Sequence, residues 1–195
     1  APLTFREMKI FGPWTEGYVL DRHTISSTPT GDPYHPYDTK RTEIGEKLYQ
    51  LKYSHDANAL APLVDTAEDF VRNHWKGLPA LERVVPAPPS DTTRRVQPAV
   101  ELARALANRL GIQTCEDAVL KVKPTQQMKN IKDWAERRRA LAEAIQKGEG
   151  DVANKCILLF DDLTESGSTL GRVAEVLLKE GGASKVFALV LTRTK

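Results

Sequence analysis

Between residues 42 and 75 apolar side chains recur at helical spacing, which predicts two helices, Thr42 to Tyr53 and Leu60 to Trp75. In the second, Leu60, Leu63, Val64, Ala67, Phe70 and Val71 fall 3 or 4 positions apart, so one face is expected to lie on a sheet. From Arg83 onward the pattern changes to strand, loop and helix. Val84-Val85-Pro86 is a short apolar run, and Val96 to Leu110 forms a helix with Val100, Ala103, Leu106, Ala107 and Leu110 on one face, closed by Gly111 as a C-cap. A strand at Ala118 to Val122, a polar stretch rich in Lys and Gln, and a charged helix from Asp133 to Gln146 are expected next. Cys156 to Phe160 gives five consecutive apolar residues, Leu170 to Leu178 a helix ending at Gly181-Gly182, and Val186 to Leu191 a last strand. Apolar strands alternating with helices imply a parallel sheet covered on both faces.

The first forty residues carry scattered Pro, Gly, Thr and aromatics, with a turn cluster at Thr28-Pro29-Thr30-Gly31-Asp32-Pro33. They read as short strands and irregular connections forming an appended lobe over residues 1–40. With 195 residues, 41% of them hydrophobic, the chain can bury one substantial core. Its 28 basic and 26 acidic residues leave a net charge of +2, which argues against nucleic-acid or membrane binding driven by the whole surface. Any anion site must therefore be local. Cys115 and Cys156 lie far apart, so neither a zinc site nor a disulfide framework is expected. No run approaches the roughly 20 apolar residues of a membrane span, and the N-terminus lacks a secretory layout. A cytoplasmic protein is the expectation.

Residues 157–169 concentrate the chemistry: Ile157-Leu158-Leu159-Phe160, then Asp161-Asp162, then Leu163-Thr164-Glu165-Ser166-Gly167-Ser168-Thr169. This reads as a buried strand, two carboxylates at its C-terminal end, a small hydroxyl-and-glycine loop, and a helix. Ligands of open α/β sheets bind at that edge. Gly167 lets backbone approach an anion, while loop and first-turn N–H groups and the hydroxyls of Ser166, Ser168 and Thr169 donate to it. The carboxylates would repel a polyphosphate but suit the vicinal hydroxyls of a sugar, since ionised Asp only accepts hydrogen bonds. A ribose phosphate satisfies both halves. Neither G-x-x-x-x-G-K-[ST] nor G-x-G-x-x-G occurs, so a nucleotide P-loop and a dinucleotide fingerprint are excluded.

Ile157 to Thr169 resembles the phosphoribosyl-pyrophosphate motif of type I phosphoribosyltransferases, and the layout is similar to the ComF-like branch. The resemblance implies an α/β fold: a parallel-sheet, Rossmann-like core over 41–195, a small N-terminal hood lobe over 1–40, and a flexible lid at about 122–150. It implies that Asp161 and Asp162 contact the ribose 2- and 3-hydroxyls. It further implies that Thr164, Glu165, Ser166, Gly167, Ser168 and Thr169 line the 5-phosphate site, and that magnesium bridges pyrophosphate and ribose largely through water. Glu165 stands where purine-using members have an Asp proposed as general base and others have Thr. It is expected either to accept a proton or hydrogen bond from the nucleophile or to be a solvated loop glutamate.

The loop Ala87 to Arg95 should open on the same edge, where Ser90, Arg94 and Arg95 are placed to meet pyrophosphate. The family's usual Arg-Gly-Phe-Asn-Gln run is altered here to Arg94-Arg95-Val96-Gln97-Pro98. Lys123 to Lys129 and Arg137-Arg138-Arg139 resemble a mobile lid, with Lys123 and Arg137 the residues expected to face the site. In the hood, Tyr18, His23, Tyr34, His35 and Tyr37 are candidates to stack on or hydrogen-bond a nucleobase-like acceptor, with surface or packing roles as the alternative. The family's usual N-terminal zinc cysteines are missing. The reading is transfer of ribose 5-phosphate from phosphoribosyl pyrophosphate to a nucleobase-like acceptor with pyrophosphate released. A ligand sensor without turnover and a competence-type DNA-handling protein are the alternatives. Type I relatives commonly pair, so a homodimer is also implied.

Overall fold

A computed structural model describes residues 1–89, 92–95, 97–125, 128 and 130–194. Its centre is the apolar run seen in sequence: β9, Cys156–Thr164, whose first five residues are buried. That strand lies between β5, Arg83–Pro86, and β10, Lys185–Arg193, both parallel to it. The six-stranded sheet is completed by β6 (Gln113–Thr114), β2 (Glu16–Arg22) and β1 (Met8–Lys9), in the order β1-β2-β10-β9-β5-β6. Every pairing is parallel except that of β1 with β2.

Alternate residues of these strands enter two cores. Leu158, Phe160, Leu189 and Leu191 pack beneath α1 (Glu43–Tyr53), α2 (Leu60–Asp69) and α3 (Pro98–Leu110). Ile157, Leu159, Val186 and Val190 pack beneath α4 (Trp134–Ala144) and α5 (Ser168–Glu175). Burial on both faces is why the strands read as continuous apolar runs rather than alternating ones. Each fully buried Leu or Phe contributes about 1.5–3 kcal/mol. Thr42 starts α1 by accepting a 3.0 Å hydrogen bond from the Gly45 amide while donating to the Arg22 carbonyl at 2.6 Å. Gly111 closes α3 in the left-handed conformation its helix C-cap position predicts.

Several boundaries differ from the periodicity. The apolar pattern of α2 ends in a π turn, Phe70–His74, because Trp75 turns inward to bond Glu16 through its indole N–H at 3.1 Å. The charged helix expected to reach Gln146 stops at Ala144. Ile145, fully buried, instead opens β8 (Ile145–Lys147), which pairs antiparallel with β7 (Val119–Lys121). Strand β9 outlasts its apolar residues because Asp161, Leu163 and Thr164 still pair with β10. Among the first forty residues, β2 joins the main sheet, while β3 (Thr24–Asp32) and β4 (His35–Arg41) form a separate exposed two-stranded ribbon. Their Ser, Thr and Pro content gives that ribbon no apolar face to bury. Among the described residues no helix is long and apolar enough to cross a membrane.

Candidate active site

Strand β9 carries Asp161 and Asp162 to the C-terminal edge of the sheet, where β5 also ends. The Asp162 amide donates to the Asp161 carboxylate at 2.9 Å. Lys52, from the last turn of α1, places its ammonium 2.7 Å from Asp162 Oδ2, and both side chains are 13% exposed. The two carboxyls therefore behave oppositely. Burial, then the neighbouring Asp162 charge, pushes Asp161 well above the ordinary carboxylate range. Burial also opposes ionisation of Asp162, but the Lys52 charge and hydrogen bonds from Asp161 and Lys52 outweigh it and hold that carboxyl low. Behind the pair, the Thr192 hydroxyl donates to the Asp162 carbonyl at 3.1 Å and meets His23 Nδ1 at 3.2 Å. Burial, reinforced by Lys52 and Arg41, lowers the His23 pKa, so this ring is neutral at pH 7.

Beyond the acids the chain makes a tight turn. Gly167 has φ 83°, a left-handed backbone that a side chain would strain, and it serves as N-cap of α5. Ser168 and Thr169 occupy the first helical turn, so their amides lack intrahelical acceptors. The Ser166 hydroxyl donates to Ser168 Oγ at 3.0 Å and accepts from the Ser168 amide at 3.3 Å. Helix start, glycine turn and hydroxyls converge on one concave surface suited to an anion.

This surface is one wall of a cleft of about 460 Å³. Asp161, Asp162 and Thr164 to Thr169 all line it. Arg94 also lines it, held over the Tyr53 ring at 5.2 Å. Arg137 lines it too and donates to the Met128 carbonyl at 3.1 Å, whereas Arg138 and Arg139 are exposed. The structure does not bring every expected residue here: Arg95 is exposed outside the cleft, and Lys123 is exposed beside Glu143 at 3.4 Å. Ser90, Val96, Gln126, Gln127 and Lys129 lie outside the described residues. None of the five hood candidates lines the cleft. Tyr18 packs against Phe70 and Trp75 with ring centroids 5.2 Å away, and Tyr34 and Tyr37 project from the ribbon at 96% and 55% exposure.

Residues 97–195, just over half of the chain, match the phosphoribosyl transferase domain. The chain belongs to the phosphoribosyl transferase family. Ribose-phosphate pyrophosphokinase 5 of Schizosaccharomyces pombe is 56% identical over 41 residues, which cover 21% of this chain and 12% of that protein. The ribose-phosphate pyrophosphokinase of Buchnera aphidicola is 48% identical over 52 residues, 27% of this chain and 16% of that protein. Both matches thus span a small part of those relatives. The adenine phosphoribosyltransferase of Leishmania tarentolae is 11% identical, with 97% of this chain and 95% of that one covered at a TM-score of 0.50, a likeness of fold.

The matched region holds the acids and the loop, but α1 lies outside it, and α1 supplies Lys52. Sequence reading missed Lys52 because no local pattern ties it to Asp162. Lys121 was missed likewise. It projects from β7 into the cleft, where burial lowers its pKa against the opposing charge of Asp161. Gln97, at the N-cap of α3, completes the wall beside Arg94 and bonds its carbonyl at 3.2 Å.

Proposed function

We propose that the cleft binds phosphoribosyl pyrophosphate and that the protein transfers its ribose 5-phosphate to a nucleobase-like acceptor. The observation that carries this reading is the pairing of two unlike surfaces on one strand end: buried carboxyls at Asp161 and Asp162, and an anion cradle at Ser166 to Thr169. Asp162, ionised and oriented by Lys52, accepts from a ribose hydroxyl, and Asp161 takes the neighbouring one. The 5-phosphate sits on the Gly167 turn and the amides of α5. Arg94, Lys121 and Arg137 face the pyrophosphate from the opposite wall.

In the reaction the bond from C1 to the pyrophosphate oxygen breaks and pyrophosphate leaves with the electron pair. The acceptor nitrogen bonds C1, and its proton passes to Glu165. The chain contributes positioning and electrostatics rather than a covalent intermediate. Among the described residues no cluster of three or more His, Cys, Asp or Glu could hold a metal. Two carboxyls, one already engaged by Lys52, suit a magnesium ion that arrives on the substrate and keeps most of its waters. Bound there, magnesium would neutralise charge on the pyrophosphate. We assign residues 1–40, whose β3–β4 ribbon stands apart from the main sheet, to the hood and residues about 122–150, with Arg137, to the lid, and read the chain as ComF-like on the run Val85-Pro86-Ala87-Pro88 and the later Glu101-Leu102-Ala103.

Pyrophosphate release in the presence of magnesium, phosphoribosyl pyrophosphate and a panel of nucleobases tests the reading. Acceptor-dependent release that an Asp161→Asn, Asp162→Asn protein lacks is the expected result. Binding with no release for any acceptor would mark a sensor instead.

A further inference from the structure

The last turn of α1 sends two neighbouring side chains into the cleft. Lys52 reaches Asp162, and Tyr53, about 100° further around the helix, lines the same cleft beside Arg94. Tyr53 is 58% exposed, and neither core includes its ring. The Arg94 guanidinium lies over that ring with its Cζ 5.2 Å from the centroid, and its Nη2 donates to the Tyr53 hydroxyl at 3.4 Å. Gln97 donates to the Arg94 carbonyl at 3.2 Å, so the backbone and the side chain of Arg94 are held separately. Tyr53 is braced in turn. The Tyr49 ring, one helical turn earlier, lies 4.9 Å away at 43°, and Arg41, the last residue of β4, covers Tyr49 with its Cζ 3.8 Å from the centroid. Arg41 is itself tied to Glu46 at 3.3 Å. Arg41, Tyr49, Tyr53 and Arg94 thus form one continuous row from the end of the ribbon to the wall of the cleft.

We propose that Tyr53 is a positioning residue for pyrophosphate recognition, acting through Arg94 on the pyrophosphate half of the substrate and not on the ribose half. The proposal rests on the reading above that the cleft binds phosphoribosyl pyrophosphate. An unrestrained arginine side chain gives up its rotamer freedom when it grips a ligand, and prior fixation on a ring removes much of that cost. An aromatic face suits the task because it sets the plane of a guanidinium through a π contact, which consumes no N–H donor. The plane matters for a pyrophosphate, whose oxygens an arginine grips in pairs through its fork of N–H groups. Helix α1 thereby serves both halves of the substrate from adjacent residues: Lys52 orients the acid at the ribose, and Tyr53 orients the arginine at the pyrophosphate.

Three ligands titrated by calorimetry in the presence of magnesium separate the two halves: phosphoribosyl pyrophosphate, inorganic pyrophosphate and ribose 5-phosphate. Tyr53→Leu, which keeps bulk and helix propensity but not the ring, should weaken both pyrophosphate-bearing ligands about tenfold. Ribose 5-phosphate should stay within about threefold, reporting an intact ribose site in the same variant. Tyr53→Phe keeps the ring and loses the hydroxyl, and should stay within about threefold of wild type for all three ligands. Because Tyr53 acts through Arg94, adding Tyr53→Leu to Arg94→Met should change phosphoribosyl-pyrophosphate affinity by less than about twofold. Four results would overturn the proposal: unchanged phosphoribosyl-pyrophosphate affinity in Tyr53→Leu, an equal loss for ribose 5-phosphate, a loss in Tyr53→Phe as large as in Tyr53→Leu, or additive losses in the double variant. Any of these with wild-type binding intact defeats this proposal alone, whereas a wild-type protein that binds neither phosphoribosyl pyrophosphate nor ribose 5-phosphate defeats the parent reading and this one together.

Discussion

Asp161 and Asp162 are neighbours in sequence and opposites in charge state, and the difference is made by Lys52. The raised pKa of Asp161 means that its ionised form is disfavoured in the fold. Its contribution to stability is complete below the unfolded value near 3.8 and is lost as pH rises through the folded pKa. Asp161→Asn should therefore melt above wild type at pH 7, by about 2–4 °C for each kcal/mol relieved, with the gain vanishing in melts below pH 3.8. Asp162 has the reverse sign: its contribution is present above the unfolded value and lost as pH falls through the lowered folded pKa. Removing Lys52 leaves Asp162 buried without its cation. Lys52→Met should cost about 3 kcal/mol in denaturant unfolding and weaken phosphoribosyl-pyrophosphate binding at least about tenfold, while Lys52→Arg recovers part of both. The acids and the loop were legible because they are contiguous. Lys52 and Lys121 were not, because only the packing of α1 and β7 around β9 brings them to the loop. Tyr18 shows the converse, an aromatic that looked suited to a base yet fills the core beside Phe70 and Trp75.

At the scale of the element, the β9, loop and α5 unit carries both halves of the candidate site on one continuous backbone. Its strand half is held by β5 and β10, and its turn half depends on the left-handed Gly167. Gly167→Ala should cost about 1 kcal/mol and also weaken phosphoribosyl-pyrophosphate binding. Gly111→Ala, at φ 72° on the C-cap of α3, serves as the control: a similar stability loss in thermal melts with unchanged affinity. Helix α1 is the second element of the candidate site, since its last turn delivers Lys52 to Asp162. Thr42→Ala, which deletes its N-cap, should lower stability by about 1 kcal/mol in denaturant unfolding. The periodicity found α1, α3, α5 and the central strands because each presents one clear apolar pattern. It overran α4 because the polar Gln146 resembles a helix face, and only burial of Ile145 converts that end into a strand.

The molecule as a whole is a sheet with cores on both faces and the candidate site at one edge. Neither core draws on the β3–β4 ribbon, and no ribbon residue lines the cleft. Replacing residues 25–40 with a short Gly-Ser turn should therefore leave phosphoribosyl-pyrophosphate affinity within about threefold, as calorimetry would show. The sequence predicted an appended lobe because the ribbon's residues lack an apolar period. It did not reveal that β2, on the near side of the ribbon, inserts beside β10, since that parallel pairing is decided at long range. The central claim is that Asp161, Asp162 and the following loop hold a ribose phosphate. Calorimetry with phosphoribosyl pyrophosphate and magnesium tests it most directly. Saturable binding by the wild-type protein, weakened at least about 100-fold in the Asp161→Asn, Asp162→Asn double variant, is the predicted result. No binding by the wild type, or equal binding by the double variant, would contradict it.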